Sequence, residues 1–417
     1  MSSDWPLVAV EDVCELIVDC VNKTAPVVPT ATPYRMIRTT NVRNGRIDLN
    51  DCRCVEQETY DKWTRRARLQ AGDVILTREA PIGEVGLVKE YEGVFLGQRL
   101  MQYRANPKLL DSRFLLYSFL SPALQHQFGS HEGSGSVVSH IRVGDCFKFK
   151  LRLPPLSEQK KIADLLGALD DRIALLRETN ATLEAVAQAL FKSWFVDFDP
   201  VHARALGEEP AGLSPEVAAL FPASFEESEL GMIPKGWRVG ELGQEVRISY
   251  GKNLPTTKLL DAGFPVYGGN GQIGFFDSYL YKDRQVLVAC RGAASGKVNQ
   301  SVPEAFITNN SLVLESTELL TFSYLKGFMT RADLTPYVTG SAQPQVTIDN
   351  LKNFKILVPP QPMVAHYEAF AGLIENRIEG NCLQAQSLAT LRDTLLPRLI
   401  SGQLRLPEAE AMVEAVS

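Results

Sequence analysis

The chain lacks several features that define large classes of protein. No apolar run in its 417 residues approaches the ~18 residues that a membrane span requires. The first twenty residues carry Asp4, Glu11 and Asp12 but no basic region, so they do not resemble a signal peptide, and we expect a cytoplasmic protein. The seven cysteines are scattered without a CxxC pair, which favours free or buried thiols over a zinc site.

Sequence motifs of enzymatic chemistry are scarce as well. The chain contains no HExxH, no serine nucleophile elbow and no Asp/Asn-Pro-Pro-aromatic sequence of the amino-methyltransferase type. His126, His131 and His140 lie close in sequence, but no cysteine or carboxylate repeats with them, so a catalytic or metal role is not favoured. We therefore predict that the chain is not an enzyme by itself, with no catalytic residue and no metal site.

Two glycine-rich stretches look like nucleotide-binding loops but stand in the wrong context. Gly269-x-Gly271-x-x-Gly274 is followed by the β-prone sequence "FFDSYLY", whereas a dinucleotide loop leads into a helix. "CRGAASGKV" (290–298) is one residue too short for a phosphate loop and has Val298 where a Ser/Thr belongs. We predict that both are turns between strands. A helix after Gly274 would instead revive a nucleotide-dependent enzyme.

The chain contains an internal repeat. "GSVVSHIRVGDCFKFKLRLPP" (135–155) aligns without a gap on "GSAQPQVTIDNLKNFKILVPP" (340–360), an offset of 205. Further upstream the offset is larger, and the matched residues there are Arg78 with Arg291, Gly83 with Gly296, Val85 with Val298, and Phe95 with Phe306. The repeat predicts two modules that share one architecture and differ in their ligands.

Each copy ends in a long helical segment with a regular apolar seam. Spacings of three and four residues alternate for about four and a half heptads, which is typical of a coiled coil. The first seam contains Ile162, Leu166, Leu169, Ile173, Leu176, Asn180, Leu183, Ala187, Leu190 and Trp194. The second contains Tyr367, Ala371, Ile374, Ile378, Asn381, Ala385, Leu388, Arg392, Leu395 and Leu399.

Polar residues and prolines modify these two helices. Asn180 and Asn381 interrupt the seam, where they either fix the helix register or face solvent at a frayed position. Ser157 is a candidate N-cap and Glu158 an acidic first-turn residue of the first helix. Pro397 is expected to bend or stop the second helix.

These patterns predict an α+β fold with two similar β-rich globular domains. Two long antiparallel helices join the domains in a coiled coil, and the repeat gives a pseudo-twofold molecule. The predicted segments are a first β-rich domain (1–150), a first helix (151–198), a linker rich in Pro, Ala and Glu (199–230), a second β-rich domain (231–355), and a second helix with a C-terminal tail (356–417).

Charge is distributed unevenly along these segments. The net charge of −6 combines +1 over 1–150 and +3 over 231–355 with −7 over 151–230 and −3 over 356–417. Slightly basic β-rich domains are compatible with phosphate contact, although such a balance is also common in domains that bind nothing.

The repeat and its motifs resemble the specificity subunit of Type I restriction–modification systems. The stretches that carry the resemblance cover nearly the whole chain in the family's order, and they are "LPPLSEQKKIADLLGALDDRI", "LFKSWFVDFDPV", "IPKGWRVGELGQ", "VYGGNGQIGFFD", "TNNSLVL" and "LLPRLISGQL". The chain departs from the family at "PPQPMVAHYEAFAGLIENRI", where the usual Glu-Gln after the proline pair is replaced, so the start of the second helix is left open.

The resemblance implies a function without catalysis in this chain. Each β-rich domain would be a target-recognition domain that reads one half of a bipartite duplex DNA target, and the helices would set the unspecified gap. Such subunits hold two adenine-modifying methyltransferase subunits, and restriction and translocase subunits join that core. SAM, ATP and Mg²⁺ would then belong to the partner subunits.

Base readout requires forked or bidentate donors and acceptors, so we select polar loop residues as candidates. In the first domain these are Arg38, Arg78, Gln98, Arg99, Ser136 and His140, and in the second Asn270, Gln272, Arg291, Asn309, Asn310, Ser341, Gln343 and Gln345. Because Arg78 and Arg291 match in the repeat, we expect them to share one task, such as phosphate contact or fold support. Arg65, Arg66 and Arg68 form either a solvated face or a phosphate contact.

The aromatic cluster of Phe191, Trp194 and Phe195 ends the first helix, and we predict that it binds a partner subunit, with packing in the chain's own core as the alternative.

A rival hypothesis for the whole chain is a scaffold whose β modules bind protein rather than DNA. The repeat and the helices fit such a scaffold equally well.

Overall fold

The computed structural model describes residues 5–130, 140–340 and 342–415, and it divides into two compact units. Unit 1 contains Met1–Leu176 and Gln384–Ser417, and unit 2 contains Arg177–Leu383. Both boundaries fall inside long helices, so each unit includes part of each helix. This division differs from the predicted segments, which assign each helix whole. Within the described residues, no helix is long and apolar enough to cross a membrane.

The helices and strands of the described residues are short apart from two helices. The helices are α1 (Val10–Val13), α2 (Gln57–Trp63), α3 (Ser112–Leu120), α4 (Pro122–Ser130), α5 (Leu156–Phe195), α6 (Asp199–Ala205), α7 (Pro215–Ala218), α8 (Leu242–Glu245), α9 (Phe322–Arg331), α10 (Ile348–Leu351), α11 (Gln361–Ile400) and α12 (Leu406–Glu414). The strands of unit 1 are β1 (Leu7–Ala9), β2 (Cys14–Asp19), β3 (Arg35–Ile37), β4 (Val42–Arg43), β5 (Arg46–Ile47), β6 (Arg53–Cys54), β7 (Val74–Arg78), β8 (Ile82–Leu87), β9 (Val94–Leu96), β10 (Leu100–Ala105) and β11 (Lys150–Arg152). Those of unit 2 are β12 (Phe225–Ser228), β13 (Gly231–Pro234), β14 (Arg238–Glu241), β15 (Arg247–Tyr250), β16 (Phe264–Gly268), β17 (Gly271–Phe276), β18 (Val286–Ala289), β19 (Val298–Gln300), β20 (Phe306–Ile307), β21 (Ser311–Glu315) and β22 (Lys355–Val358).

The sheets of the two units have corresponding strand orders. A four-stranded antiparallel sheet runs β2-β10-β7-β8 in unit 1 and β15-β21-β18-β19 in unit 2. A three-stranded sheet with one parallel pair runs β6-β3-β9 in unit 1 and β17-β16-β20 in unit 2. In a two-stranded sheet, Leu7 pairs with Arg152, and in the other unit Val239 pairs with Leu357. Leu357 of the second pair lies 205 residues after Arg152 of the first pair, which is the offset of the sequence repeat.

The central strands are rich in β-branched and aliphatic residues, which suits a sheet covered on both faces. All four residues of β18 are buried, as are the first four of β7. In unit 1, the N-cap of α3 is Asp111, whose carboxylate accepts the backbone N–H groups of Arg113 and Phe114 at 3.0 Å each. This N-cap fixes the helix that covers the sheet.

The long helices α5 and α11 each contain 40 residues, as the heptad pattern predicts. Two details of their ends differ from the expectation. Helix α5 already begins at Leu156, directly after a proline pair, so Ser157 lies inside the first turn and is not the N-cap. Pro397 lies inside α11, which continues to Ile400. A proline removes only one backbone donor, and three residues from the end of a helix that loss does not stop the last turn.

The predicted seam residues lie mostly in the cores of the units. In unit 1 the buried seam residues of both helices share one hydrophobic cluster, and they are Ile162, Leu166, Leu169, Ile173, Leu176, Ala385, Leu388, Leu395 and Leu399. In unit 2, Ile374 is buried, whereas Leu183, Leu190 and Ile378 are half-buried.

Asn180 and Asn381 face each other in unit 2. The amide nitrogen of Asn381 donates to the Asn180 side-chain oxygen at 2.8 Å, and the Asn180 amide donates to the Ile378 carbonyl at 3.2 Å. Asn381 is buried. The interpretation in which both residues face solvent is therefore wrong, and the interpretation in which they fix the helix register stays a prediction.

The segment 199–230, predicted to be a linker, is folded. It contains α6, α7 and β12, and Val201 and Phe221 are buried in the core of unit 2. The Pro and Ala content suggested a connection, but Pro200 and Pro215 instead occupy first-turn positions of the two helices, where proline is well tolerated.

Candidate nucleic-acid interface

In unit 2, several loops with polar side chains meet at one edge of the four-stranded sheet. Cys290, just after β18, donates its backbone N–H to the Asn310 carbonyl at 2.9 Å, next to the start of β21. Arg291 forms an antiparallel bridge with Gln345, and the Gly292 N–H donates to the Pro344 carbonyl at 3.0 Å. These bonds hold the ends of two strands and the loop 339–346 together.

The hairpin of β16 and β17 reaches the same edge. Its two-residue turn is Gly269-Asn270, so the prediction that the glycine-rich stretch is a turn between strands is confirmed. A Cβ on Gly269 would lie 3.1 Å from the Asn310 carbonyl oxygen and 3.5 Å from the Ala289 Cβ, which leaves little room for a side chain. Glycine therefore allows the hairpin to lie against β18 and β21.

The second glycine-rich stretch is also a turn, as predicted. A short 3-10 helix, Gly292–Ala294, connects β18 to β19. The ammonium of Lys297, which follows this turn, donates to the Asn270 side-chain oxygen at 2.7 Å. The bond holds Asn270 in one orientation at the hairpin tip, so its amide nitrogen remains available as a donor.

The unit 2 edge carries cationic side chains that are not neutralised. Arg291, Lys252 and Lys297 are exposed, and within the described part of the chain none has a carboxylate within ion-pair distance. Beside them, burial raises the pKa of the Cys290 thiol, and the positive charge of Arg291 opposes that rise. Sequence reasoning missed Lys252 and Lys297, although a lysine within the glycine-rich stretch 290–298 was a usable signal.

The other candidates of unit 2 are distributed around this edge. Asn310, Gln343, Gln345 and Gln272 are exposed, and the Gln272 amide lies 3.5 Å from the Gly274 carbonyl. Asn309 is half-buried, and its backbone carbonyl accepts the Cys290 thiol at 3.5 Å. Ser341 lies outside the described residues.

The equivalent edge of unit 1 is also polar, but its arginines are paired. Arg99 lies 3.1 Å from the Glu79 carboxylate, and Arg38 lies 2.8 Å from Asp51. Gln98 is half-buried and its side-chain oxygen lies 3.5 Å from the Thr24 hydroxyl. These pairs reduce the positive charge that this edge presents to an anionic partner.

Arg78 supports the fold of unit 1. Its guanidinium donates to the Ile141 carbonyl at 3.0 Å, and its own carbonyl accepts the Ile141 N–H at 3.0 Å. Both bonds hold Ile141 at the end of β7. Ile141 follows residues 131–139, which the structure does not describe. Ser136 and His131 lie among those undescribed residues, whereas His140 is half-buried next to Ile141.

The expectation that Arg78 and Arg291 share one task is wrong, because they are not equivalent in the sheets. The backbone N–H of Arg78 donates to the carbonyl of residue 99, and the Arg78 carbonyl accepts the N–H of residue 141. Cys290 makes the corresponding backbone bonds with residues 310 and 346. Arg78 therefore corresponds to Cys290. Leu76 pairs with Val85 across the connection after β7, and Val288 pairs with Val298 across the connection after β18, so the second connection contains one residue more. An alignment anchored on the two arginines is therefore one residue out of register.

The arginines of "WTRRARL" adjoin the unit 1 edge. Arg66 forms an ion pair with Asp19 at the end of β2, and Arg68 lies 3.5 Å from Asp61. Arg65 is exposed. These residues follow α2, which has no counterpart in unit 2, so this basic segment is specific to the first module.

The cluster of Phe191, Trp194 and Phe195 is not a partner surface. The three side chains are only 1%, 6% and 2% exposed, and they pack against Tyr324 and Tyr367 in the core of unit 2. The prediction that they bind a partner is therefore wrong. Aromatic residues at a helix end suit either a partner surface or the chain's own core, and the sequence alone does not show that α9 covers them.

The seven cysteines are all free, as predicted. Burial raises the pKa of Cys52 and of Cys146 to about 11. Within the described residues, no group of three or more His, Cys, Asp or Glu side chains has the geometry of a metal site.

Two β-rich units with polar loops at a sheet edge, combined with long helices, define a class of recognition proteins rather than a particular protein. Comparison with known families makes the assignment. The family model described as "Type I restriction modification DNA specificity domain" matches residues 2–185 and 234–364, which is well over half of the chain. The chain therefore belongs to this family, and the resemblance inferred from its motifs is confirmed.

Named relatives and a solved structure agree with this assignment. The chain is 26% identical over 368 residues to the Type I restriction enzyme MjaIX specificity subunit of Methanocaldococcus jannaschii, which covers 81% of this chain and 78% of that protein. It is 24% identical over 384 residues to the HindI specificity subunit of Haemophilus influenzae, covering 76% and 82%. The crystal structure of the Type I restriction–modification S subunit from M. genitalium shares the fold, with a TM-score of 0.60, 19% identity, and coverage of 95% and 96%.

Proposed function

We propose that this specificity subunit recognises a bipartite duplex DNA target and that each unit reads one half. The observation that carries the proposal is the exposed edge of unit 2, where Arg291, Lys252 and Lys297 have no carboxylate partner among the described residues and stand beside Asn270 and Asn310. Cations without partners suit phosphates, which supply most of the affinity of DNA-binding proteins. Asparagine amides suit adenine edges, which present a donor next to an acceptor.

The edges of the two units would read different bases. In unit 1 the exposed polar groups are arginines held by acidic side chains, and in unit 2 they are amides and free cations. A fixed guanidinium is well suited to guanine, which offers two acceptors in the major groove. The corresponding strand orders of the two units support a common scaffold with divergent loops, which agrees with a pseudo-twofold internal repeat.

The long helices would act as a spacer and as the assembly surface. Their apolar seam, with one polar pair, supports an antiparallel coiled coil that sets the gap between half-sites. Two methyltransferase subunits would dock on the outer faces of these helices, and restriction subunits would join them. SAM, ATP and Mg²⁺ would bind to those partners, and this chain would contribute no catalytic group.

A selection experiment tests the DNA-reading role. The chain, assembled with its methyltransferase subunits, is incubated with a library of random duplexes at two salt concentrations, and the bound duplexes are sequenced. We expect enrichment of two short elements separated by a fixed gap, and retention that falls steeply with salt. A complex that assembles but enriches no sequence would favour the scaffold hypothesis, in which the modules bind protein.

A further inference from the structure

Unit 2 contains a cavity that has no part in the polar edge. Its volume is about 260 Å³, and side chains of α5, α9 and α11 line it. The residues that matter below are Glu184, Ala187, Ser323, Lys326, Tyr367 and Glu375. All of them lie within unit 2.

The wall of the cavity carries charged side chains of both signs. The Lys326 ammonium lies 3.0 Å from a Glu184 carboxylate oxygen and 2.6 Å from one of Glu375, so a single cation is shared by two carboxylates. Glu375 is buried, with 5% of its surface exposed. A third carboxylate, Glu368, accepts the Ser323 N–H at 3.1 Å, and the second cation, Arg331, donates to the Gln188 carbonyl at 3.1 Å. Glu368 does not line the cavity, so the lining contains two carboxylates, Glu184 and Glu375, and two cations, Lys326 and Arg331.

Two further observations indicate a polar site. Among the described residues, the buried hydroxyl of Ser323 has no hydrogen-bond partner, although its residue lines the cavity. The pKa of Tyr367 is raised, first by burial and then by the negative charges of Glu368, Glu375 and Glu184. A buried polar group without a partner costs free energy that a bound ligand would recover.

Unit 1 carries a guanidinium at the matching position of the sequence repeat. There the guanidinium of Arg392 lies 2.6 Å from an Asp170 carboxylate oxygen, and the Tyr117 hydroxyl donates to the other Asp170 oxygen at 2.8 Å. At the repeat offset of 205, Asp170 corresponds to Glu375, and Arg392 corresponds to Ala187. Unit 2 therefore keeps the carboxylate but has a methyl group where unit 1 has a guanidinium.

We propose that this cavity binds a guanidinium group from outside the chain. A planar guanidinium offers five donors, which can reach Glu375, Glu184 and the Ser323 hydroxyl together. The rings of Tyr367 and Phe191 line the same cavity and add a favourable surface for a delocalised cation. This inference goes beyond the proposed function and does not depend on DNA binding.

Calorimetric titration of the full chain with methylguanidinium tests the proposal. We expect saturable binding at one site, and weak or undetectable binding of methylammonium and of neutral methylurea at the same concentrations. The decisive variant is Ala187→Arg, which would place the chain's own guanidinium in the cavity and weaken methylguanidinium binding by about tenfold or more. Ala185→Arg, at an exposed position of the same helix, is the matched control and should bind as the unsubstituted chain does.

The outcomes separate cleanly. Absence of methylguanidinium binding, or equal binding by the Ala187→Arg and Ala185→Arg variants, would overturn the proposal. Two further ligands identify the source of the group. Tighter binding of N-acetyl-arginine amide than of free arginine would indicate an arginine side chain of a partner protein, and the reverse order would indicate a small guanidinium compound.

Discussion

At the scale of single residues, the two units differ in how their basic side chains are compensated. Arg38 and Arg99 of unit 1 lie against carboxylates, whereas Arg291 of unit 2 does not. Exposed ion pairs contribute little to stability, but they hold a guanidinium in one orientation. Under the proposed function, unit 1 would make directional contacts, and unit 2 would offer more charge to phosphates.

Substitution of Arg291 by alanine should weaken DNA binding without loss of folding. We expect affinity for the selected target to fall by about tenfold, and the dependence on salt concentration to decrease by about one ion if the contact is to phosphate. Fluorescence anisotropy with a labelled duplex measures both quantities.

Arg247→Ala is the matched control for this variant. Its side chain is 78% exposed and pairs with Glu315 at the opposite end of the same sheet. Equal affinities of the two variants would remove Arg291 from the interface.

Thiol reactivity provides a second prediction at this scale. A thiol reacts as its thiolate, and with a pKa of about 11 only roughly one thousandth of Cys52 is ionised at pH 8. Cys382 is exposed and should be alkylated by iodoacetamide well before Cys52 and Cys146 at that pH. Labelling of Cys52 should rise as the pH approaches 11. Mass spectrometry of the digested protein measures each site, and early labelling of Cys146 at pH 8 would contradict its burial.

At the residue scale, the sequence was sufficient to predict features that depend on neighbouring residues in the chain. It was not sufficient for features that depend on tertiary contacts. The turn at Gly269-Asn270 was predictable because the residues after it favour a strand. The burial of Trp194 was not, since only the fold reveals what packs against a helix end. The false match of Arg78 with Arg291 arose because identical letters were aligned across loops of different length.

At the scale of secondary-structure elements, the Asn180–Asn381 pair should behave as one unit. Asn381→Leu leaves the Asn180 side chain without its partner between the helices, and we expect the free energy of unfolding of unit 2 to fall by about 1–3 kcal/mol. Replacement of both residues by leucine should recover most of that loss, because two apolar side chains can pack in the seam.

Chemical denaturation of the two single variants and the double variant measures this coupling. Additive effects of the two substitutions would show that the asparagines do not interact. A double variant that is more stable but enriches targets with more than one gap would show that the pair sets the helix register.

Two glycines in helices should respond oppositely to alanine. A Cβ on Gly327 of α9 would overlap the Phe191 ring, whereas a Cβ on Gly380 of α11 meets nothing within 4 Å. Gly327→Ala should lower the melting temperature, since the buried ring must move. Gly380→Ala should stabilise its helix by about 1 kcal/mol, because alanine loses less backbone entropy. Calorimetry compares the two, and destabilisation by Gly380→Ala would contradict the open surroundings of that position.

The heptad pattern was sufficient to predict both long helices, but not their ends. The 3.5-residue period depends on residues within one helix, so it can be read directly from the sequence. Where a helix stops depends on adjacent turns and on packing, which explains why Ser157 was wrongly assigned as a cap and why α11 continues past Pro397. The folded segment 199–230 was missed for the same reason, since its two buried anchors, Val201 and Phe221, belong to the core of unit 2.

At the scale of the whole molecule, the chain contains two β-rich units and two long helices. The assignment to the family is shown by a match over 2–185 and 234–364, and the fold agrees with a solved S subunit. The sequence repeat anticipated the corresponding sheets because apolar strand patterns change slowly relative to loops. The target bases could not be anticipated, since they depend on side chains in the loops, where the two units differ most.

A map of N6-methyladenine tests the central claim most directly. Cells that contain this chain with its methyltransferase subunits would be compared by single-molecule sequencing with cells from which only this chain is deleted. The account predicts one new methylated motif, made of two short specific elements with a fixed gap, which disappears in the deletion. Formation of the complex without any gained methylation, or a continuous motif without a gap, would contradict the claim that two units read two half-sites.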